Sequence, residues 1–359
     1  MLLLLLVFMP QAVPVHLIGD TETYKPLGFN VTILPDGNIY LINDQKQVLH
    51  LNPEGEIVRR FGGAGQGPGE FLLPHYIGYQ DGTIWVFDIM SSAVNHFSLT
   101  GELLHVYRSE KITATSAKTK TGWAFSDYVP NDPTPARILL ADERLATFSA
   151  VLQWTPSWNH PQKIARGLKQ RVSLNPVREF IGLAMEPDGR FLFVSHPGTR
   201  FKISVIDTQK KKLSHVIRRD DKPIPFNEDW GKIFINRNRH ESETLRVSLD
   251  APSHFPMIRS MAVSPDGLLI VNKWTWNPDQ KNHYLVLDRY GKKATLSYRP
   301  ENLSRVITIY DKTAYLRGYD DDTGRALILK CPAGSIDEVV NNHPLNYAPK
   351  KRTWVPIKP

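Results

Sequence analysis

A short phrase recurs along this chain: an apolar run, a turn built around Asp-Gly, then a second apolar run. It reads VTILPDGNIYLIND at 31–44, IGYQDGTIWVFD at 77–88, LAMEPDGRFLFVSH at 183–196 and MAVSPDGLLIVNK at 261–273. Weaker copies surround Gly122 (KTKTGWAFSD) and Lys312 (TIYDKTAYLRG). Gly37, Gly82, Gly189 and Gly267 each follow an Asp, at a turn position where glycine adopts a positive φ without strain. Short runs rich in Val, Ile, Phe and Tyr, punctuated by such turns, form strands rather than helices.

Two further strand-like runs follow most copies: VLHLNPEGEIVRRF (48–61), NHFSLTGELLHVY (95–107), ISVIDTQKKKLSHVI (203–217), YLVLDRYGKKATLSY (284–298) and ALILKCPAGSIDEVV (326–340). Four strands per copy and six copies predict an all-β chain. The expected fold is a six-bladed β-propeller with four-stranded blades and loop or helix insertions on one face. The blades fall at about 29–63, 71–108, 112–154, 178–219, 257–300 and 303–340, inside a propeller spanning 15–345, with a basic tail at 346–359. A ring of sheets needs a clasp, because an unpaired edge strand is a liability. The segment near Val15–Ile18 is the expected clasp, added to the blade ending at Val340.

The segment RRFGGAGQGPGEFLLP at 59–74 resembles the inter-blade link of bacterial NHL-like six-bladed propellers. In that group a strand ends at Phe-Gly, a glycine loop crosses between blades, and Phe-x-x-Pro opens the next. The resemblance implies a fold and not a function, since the Asn-His-Arg triplet of NHL repeats is missing and Asn95-His96 falls inside a third strand. Some six-bladed propellers are lactonases that hold calcium in the channel or lyases that hold zinc, which supplies the alternative of a metal-dependent hydrolase or lyase. The glycine-rich loop itself precedes a strand and contains Pro68, so it reads as a linker rather than a phosphate cradle.

Net charge is +8, from 44 Lys and Arg against 36 Asp and Glu, but the basic residues are scattered. The densest clusters, Lys210–Lys212 and Lys350–Arg352, read as a hairpin turn and a tail, and no nucleic-acid-binding pattern accompanies them. Cys331 is the single cysteine, so no intrachain disulfide forms, and the run ALILKC suits a buried, inert thiol. The start, MLLLLLVFMPQAVPV, carries an apolar run ending at Pro10 that is too short to span a bilayer and has the length of a signal-peptide core. No Lys or Arg precedes it, and a buried strand is the rival reading. The expectation is a signal peptide over 1–14 and an exported, periplasmic or extracellular monomer without a transmembrane segment in its mature chain.

Repeat phase places the start of each innermost strand and the end of each second strand on one face of the disc. The Asp-Gly turns lie on the other face. The long inserts all fall on the first: 127–137, 196–201, 273–283 and 319–324 within blades, and 154–177 and 219–255 between them. The last of these is expected to hold a helix from about Asn227 to Arg239. Functional residues concentrate on loops carried by a rigid scaffold, so this face is the candidate site.

Aligned on the turns, Asn30, His75, Arg259 and Arg305 fall at matching or adjacent positions at the innermost-strand starts, and Arg178 lies just upstream in a fourth blade. A cationic funnel of that kind suits a carboxylate, sulfate or phosphate. The competing arrangement pairs these arginines with Asp44, Asp88 and Asp127 at the second-strand ends. Trp274 and Trp276, with Trp154 and Trp158, add aromatic surface suited to a glycan or a protein partner. The function read from this is a binding module for an anionic or glycan ligand or a protein, with catalytic residues unassigned. No cofactor is predicted. A calcium ion, if held, would use Asn30, Asp44, Asp88 and Asp127, although arginines at the same mouth oppose a divalent cation.

Overall fold

The computed structural model describes residues 16–18, 26–110, 116–127, 135–154, 171–174, 181–196, 198–226, 246–249, 254–264, 267–273, 282–299, 303–310, 313–319 and 326–332. Among these residues every helix-or-strand element is a strand. The first, β1, is His16–Ile18. Blade one follows as β2 (Pro26–Ile33), β3 (Ile39–Asn43), β4 (Gln47–Leu51) and β5 (Ile57–Gly62). Blade two is β6 (Pro74–Gln80), β7 (Thr83–Asp88), β8 (Ala93–Ser98) and β9 (Leu103–Arg108). Blade three is β10 (Ser116–Thr119), β11 (Gly122–Asp127), β12 (Ala136–Asp142) and β13 (Phe148–Trp154), and β14 (Arg171–Leu174) lies in the insert after it. Blade four is β15 (Leu183–Met185), β16 (Phe191–Ser195), β17 (Phe201–Asp207) and β18 (Lys212–Arg219). The next insert holds β19 (Ile224–Pro225), β20 (Arg246–Leu249) and β21 (His254–Phe255). Blade five is β22 (Ile258–Val263), β23 (Leu269–Lys273), β24 (Asn282–Leu287) and β25 (Lys293–Arg299), and the chain continues through β26 (Leu303–Tyr310), β27 (Thr313–Tyr319) and β28 (Ala326–Pro332).

The expected six-bladed propeller with six alike four-strand units is thereby corrected. Five four-stranded blades are built from contiguous chain, not six. The strands β26 to β28 supply only three members of a last sheet, whose fourth is β1, paired antiparallel through His16↔Lys330, Leu17↔Leu329 and Ile18↔Ile328. The sequence reading placed a last outer strand before Val340, and that stretch lies outside the described residues. The physical reason is edge coverage. Left bare, β28 would offer a row of unpaired N–H and C=O groups, and β1 occupies them while tying the two ends of the chain together. The expected helix over Asn227–Arg239, the segment 1–14 and the basic tail also lie outside the described residues.

Neighbouring sheets touch through their innermost strands in the order β2, β6, β10, β15, β22 and β26. The second strands of the five contiguous blades are buried on both faces, which explains why they read as continuous apolar runs rather than alternating ones. In β3, Tyr40 and Ile42 pack with Ile84 and Val86 of blade two, whereas Ile39 and Leu41 pack with Tyr315 and Ile328 of the composite sheet. In β7, Trp85 and Phe87 turn the other way, onto Trp123 and Phe125 of blade three. Leu192 and Val194 continue the ring from blade three to four, and Phe193 and Ile203 from four to five. Full burial of side chains of this size stabilises by roughly 1.5–3 kcal/mol each, so the inter-blade seams hold the ring together.

The glycine-rich segment is a linker, as its context suggests. Phe71 is fully buried between blades one and two, its N–H donates to Gly63 O at 2.8 Å, and Gly65 N–H donates back to Phe71 O at 3.1 Å. Polar locks reinforce other seams. Arg289 of blade five grips the buried Glu186 carboxylate of blade four at 2.6 and 3.0 Å, and the Phe191 ring lies under both Arg289 and Arg190. Burial pushes the Glu186 carboxyl up, against the opposing pull of Arg289.

Gly189 and Gly267 occupy equivalent turns with φ of +69° and +86°. A Cβ on Gly189 would lie 2.4 Å from Lys120 N, whereas a Cβ on Gly267 would meet nothing within 4 Å. Gly267→Ala is therefore expected to destabilise by about 1–2 kcal/mol, the strain of a left-handed residue. Gly189→Ala should lose a further 1–3 kcal/mol or so from the clash across the blade three to four seam. Equilibrium urea unfolding of the two variants checks the difference.

Two seam histidines tie stability to pH. His96 and His196 are buried, and both imidazoles are held down at about 4. Burial is the main cause, helped by Lys118 at His96 and by Lys202 and Arg218 at His196. Their ordinary value is 6.5, so the unfolded chain binds these protons first. The stability they allow is complete above pH 6.5 and is lost as pH falls toward 4, on the order of 3 kcal/mol for each ring. Denaturant unfolding between pH 4 and 7 should show uptake of about two protons from these rings near pH 5. His196→Gln should reduce that uptake by about one.

Candidate functional site

The innermost strands do not enter their sheets cleanly. In blade two, Pro74 opposes Asp88 and Tyr76 opposes Phe87, which leaves His75 as the extra residue of a β-bulge. In blade five, Ile258 opposes Lys273 and Ser260 opposes Asn272, which leaves Arg259 in the same position. Bulges recur beside functional sites because they re-aim a side chain out of the pleat. His75 and Arg259 are both exposed. The structure thus makes these two of the sequence-assigned residues strict equivalents.

The others divide. In the composite sheet the bulge falls between Leu303 and Arg305, so Ser304 is the equivalent residue and Arg305 is one position deeper, opposite Arg317. Asn30 lies in the irregular stretch between Pro26, which opposes Asn43, and Val31, which opposes Leu41. Arg178, Trp274 and Trp276 lie outside the described residues.

The carboxylates at the second-strand ends have other work. Asp88 is fully buried, and its oxygens accept backbone N–H bonds from Leu72 (2.6 Å), Leu73 (2.9 Å), Met90 (3.1 Å) and Ser91 (3.4 Å). It pins the linker to the turn after β7. Asp127 is paired with Arg137, its cross-strand neighbour, with Arg137 Nε donating at 2.8 Å. Asp44 is exposed, and the true counterpart of Asp88 in blade one is Asn43, whose Oδ1 accepts Gln47 N–H at 2.7 Å. In blade four Ser195 holds this position, its Oγ accepting Gly182 N–H at 2.8 Å. Side chains so engaged hold turns, and as a calcium cage they would first have to release backbone amides. Among the described residues no three His, Cys, Asp or Glu side chains come together as metal ligands.

Sequence reasoning missed how the two long inserts meet. β14 and β20 pair in parallel, Arg171↔Arg246 through Leu174↔Leu249, and both strands read Arg-Val-Ser-Leu. The repeated tetrapeptide was a visible signal. The inserts that follow β13 and β18 are thereby joined to each other. A small polar cavity of about 170 Å³ lies between the linker and blade two, lined by Gln66, Glu70, Asp88, Ser91, Asn95 and Arg108 among others. Glu70 is occupied with Gly67 N–H at 2.8 Å, so this cavity too is built from residues holding the backbone.

No helix among the described residues is long and apolar enough to cross a membrane. No family model matches the chain, and no curated protein does so either. Among solved structures, a member of the DUF4221 family from Bacteroides vulgatus overlays with a TM-score of 0.57 and 12% identity, over 89% of this chain and 96% of that one. A putative exported protein from Bacteroides fragilis overlays with a TM-score of 0.51 and 11% identity, over 89% of this chain and 94% of that one. At such identities the likeness concerns fold alone, and the fold it shows is the β-propeller.

Proposed function

We propose that the chain is an exported, NHL-like β-propeller that acts as a binding module, taking an anionic ligand at the channel mouth. One observation carries the reading: the bulges that set His75 and Arg259 as equivalent, exposed residues at innermost-strand starts in blades two and five. The acidic residues once set against them support it, because Asp88 serves backbone amides and Asp127 serves Arg137. Arg305 and Arg178 complete the proposed funnel, with Asn30 at the blade-one position and Trp274 and Trp276 on the adjoining insert. Guanidinium groups suit carboxylate, sulfate or phosphate through paired donors.

Export is supported by the apolar run ending at Pro10 and by the overlay on a protein described as exported. The NHL-like assignment rests on the linker, in which Gly62 and Gly63 lead to the buried Phe71 and then Pro74.

A thermal-shift screen of carboxylated, sulfated and phosphorylated small molecules against neutral sugars tests the proposal. Acidic compounds are expected to raise Tm, with an effect that fades as salt increases. Arg259→Ala and Arg305→Ala should each weaken the best compound by about 10- to 100-fold, the loss of one charge-assisted contact of roughly 1.5–3 kcal/mol. Melting of each variant without ligand, measured alongside, separates lost binding from lost stability. Preference for neutral sugars, or turnover abolished by a chelator, would overturn the reading.

A further inference from the structure

Blade four carries a charge arrangement that its own fold leaves uncompensated. In the antiparallel pair of β17 and β18, Lys202 stands directly opposite Arg218. Directly opposed residues share one face of the sheet with Cβ atoms about 4.5–5.5 Å apart, and like charges there are destabilising. Among the described residues no carboxylate pairs with either cation. Asp221 serves Lys273 at 3.0 Å and Arg219 at 3.4 Å, and Asp220 is exposed. Arg219 belongs to the other side of the sheet, over the Phe201 ring, where Phe201, Ile203 and Ile217 pack against blade five.

The Lys202 side faces blade three, where His196 and Trp154 lie. His196 Nε2 lies 2.7 Å from Ser204 Oγ, and Ser204 is two residues beyond Lys202 on the same strand face. The His196 ring rests against Trp154 of blade three at 5.2 Å. Trp154 Nε1 is buried and has no hydrogen-bond partner. A buried N–H without an acceptor costs about 1–3 kcal/mol, and such orphans in a native fold call for an explanation. The nearness of both cations is registered at His196, whose imidazole they help to hold down.

Two cations and an indole donor, all without partners among the described residues, lie around His196 at the candidate-face end of the seam between blades three and four. We infer that this place is an oxyanion site, in which a carboxylate, sulfate or phosphate group of an acidic ligand bridges Lys202 and Arg218 beside Trp154. It lies on third and fourth strands, away from the mouth formed by innermost strands, and does not depend on the mouth binding anything. Trp154 and Arg219 are also where the two long inserts begin, so a ligand here would sit at the root of the structure joined by β14 and β20.

The test uses the full chain at low ionic strength, with sulfate, phosphate, acetate and a short galacturonate oligomer as probes, read by calorimetric titration and melting. At least one probe should bind saturably. If the small anions alone bind, the ligand is a free oxyanion; tighter binding of the oligomer assigns the group to an acidic sugar. Lys202→Gln and Arg218→Gln should each weaken binding tenfold or more, and Trp154→Phe, which keeps the ring contact but not the N–H, about threefold or more. Without anion, Arg218→Gln should raise Tm by about 1 °C or more, because it relieves a like-charge pair. The part of the binding that Lys202→Gln and Arg218→Gln remove should survive in Arg259→Gln, which separates the site from the mouth. Equal binding by wild type and Arg218→Gln, a lower Tm for Arg218→Gln without anion, or no saturable binding would each overturn the inference.

Discussion

A ring of sheets is held against solvent at every seam but one by the continuity of its own chain, and the remaining seam must be tied by something else. Here three residues do it. His16–Ile18 add to the free edge of β28, so the first described strand and the last belong to one sheet. The same sheet delivers Tyr315 and Ile328 to the core of blade one. Without that joint, Ile39 and Leu41 would lose their partners on one side, and the doubly buried second strand of blade one would become a half-exposed one. Every other seam depends on the geometry this joint enforces, because each blade is packed between two others.

The scaffold was readable because it is written in chemistry with few alternatives. An Asp-Gly turn between two apolar runs has few conformations available, and a run such as Phe191–Ser195 that is apolar on both alternating faces requires cover on both sides. The composite sheet was harder. The need to cover an edge pointed to a clasp near Val15–Ile18, and β1 supplies it, but the apolar letters after Pro332 also suggested an outer strand ahead of Val340, so the clasp was expected as an addition to a full blade.

The site was less legible, for two physical reasons. A β-bulge shifts register by one residue without leaving a mark in composition, so alignment on the turns cannot tell whether Arg259, Arg305 or Ser304 occupies the re-aimed position. It expects His75, Arg259 and Arg305 at matching or adjacent positions, and the bulges make the first two equivalent with Arg305 one residue deeper. The second reason concerns carboxylates. Asp88 and Asp127 look alike as strand-ending acids, yet one is satisfied by four backbone amides and the other by a neighbouring guanidinium. Asn43 and Ser195 fill the same structural post with an amide and a hydroxyl. What the post demands is an acceptor for turn amides, and the sequence offers no means to distinguish that demand from a ligand's.

That distinction bears on how the two faces use their charges. On the turn face, cations and acids answer one another: Arg289 with Glu186, Arg190 with Asp207, Lys118 with Glu143. Such pairs, partly desolvated and drawn together across or within blades, serve the fold. On the insert-bearing face Asp88 serves backbone amides, Asp127 pairs with Arg137 and Asp221 with Lys273 and Arg219, and among the described residues Lys202 and Arg218 have no acid partner. Turn amides draw on acids at the other face as well, where Asp142, Asp207 and Asp288 each accept them, so what distinguishes the insert-bearing face is the directly opposed pair Lys202 and Arg218.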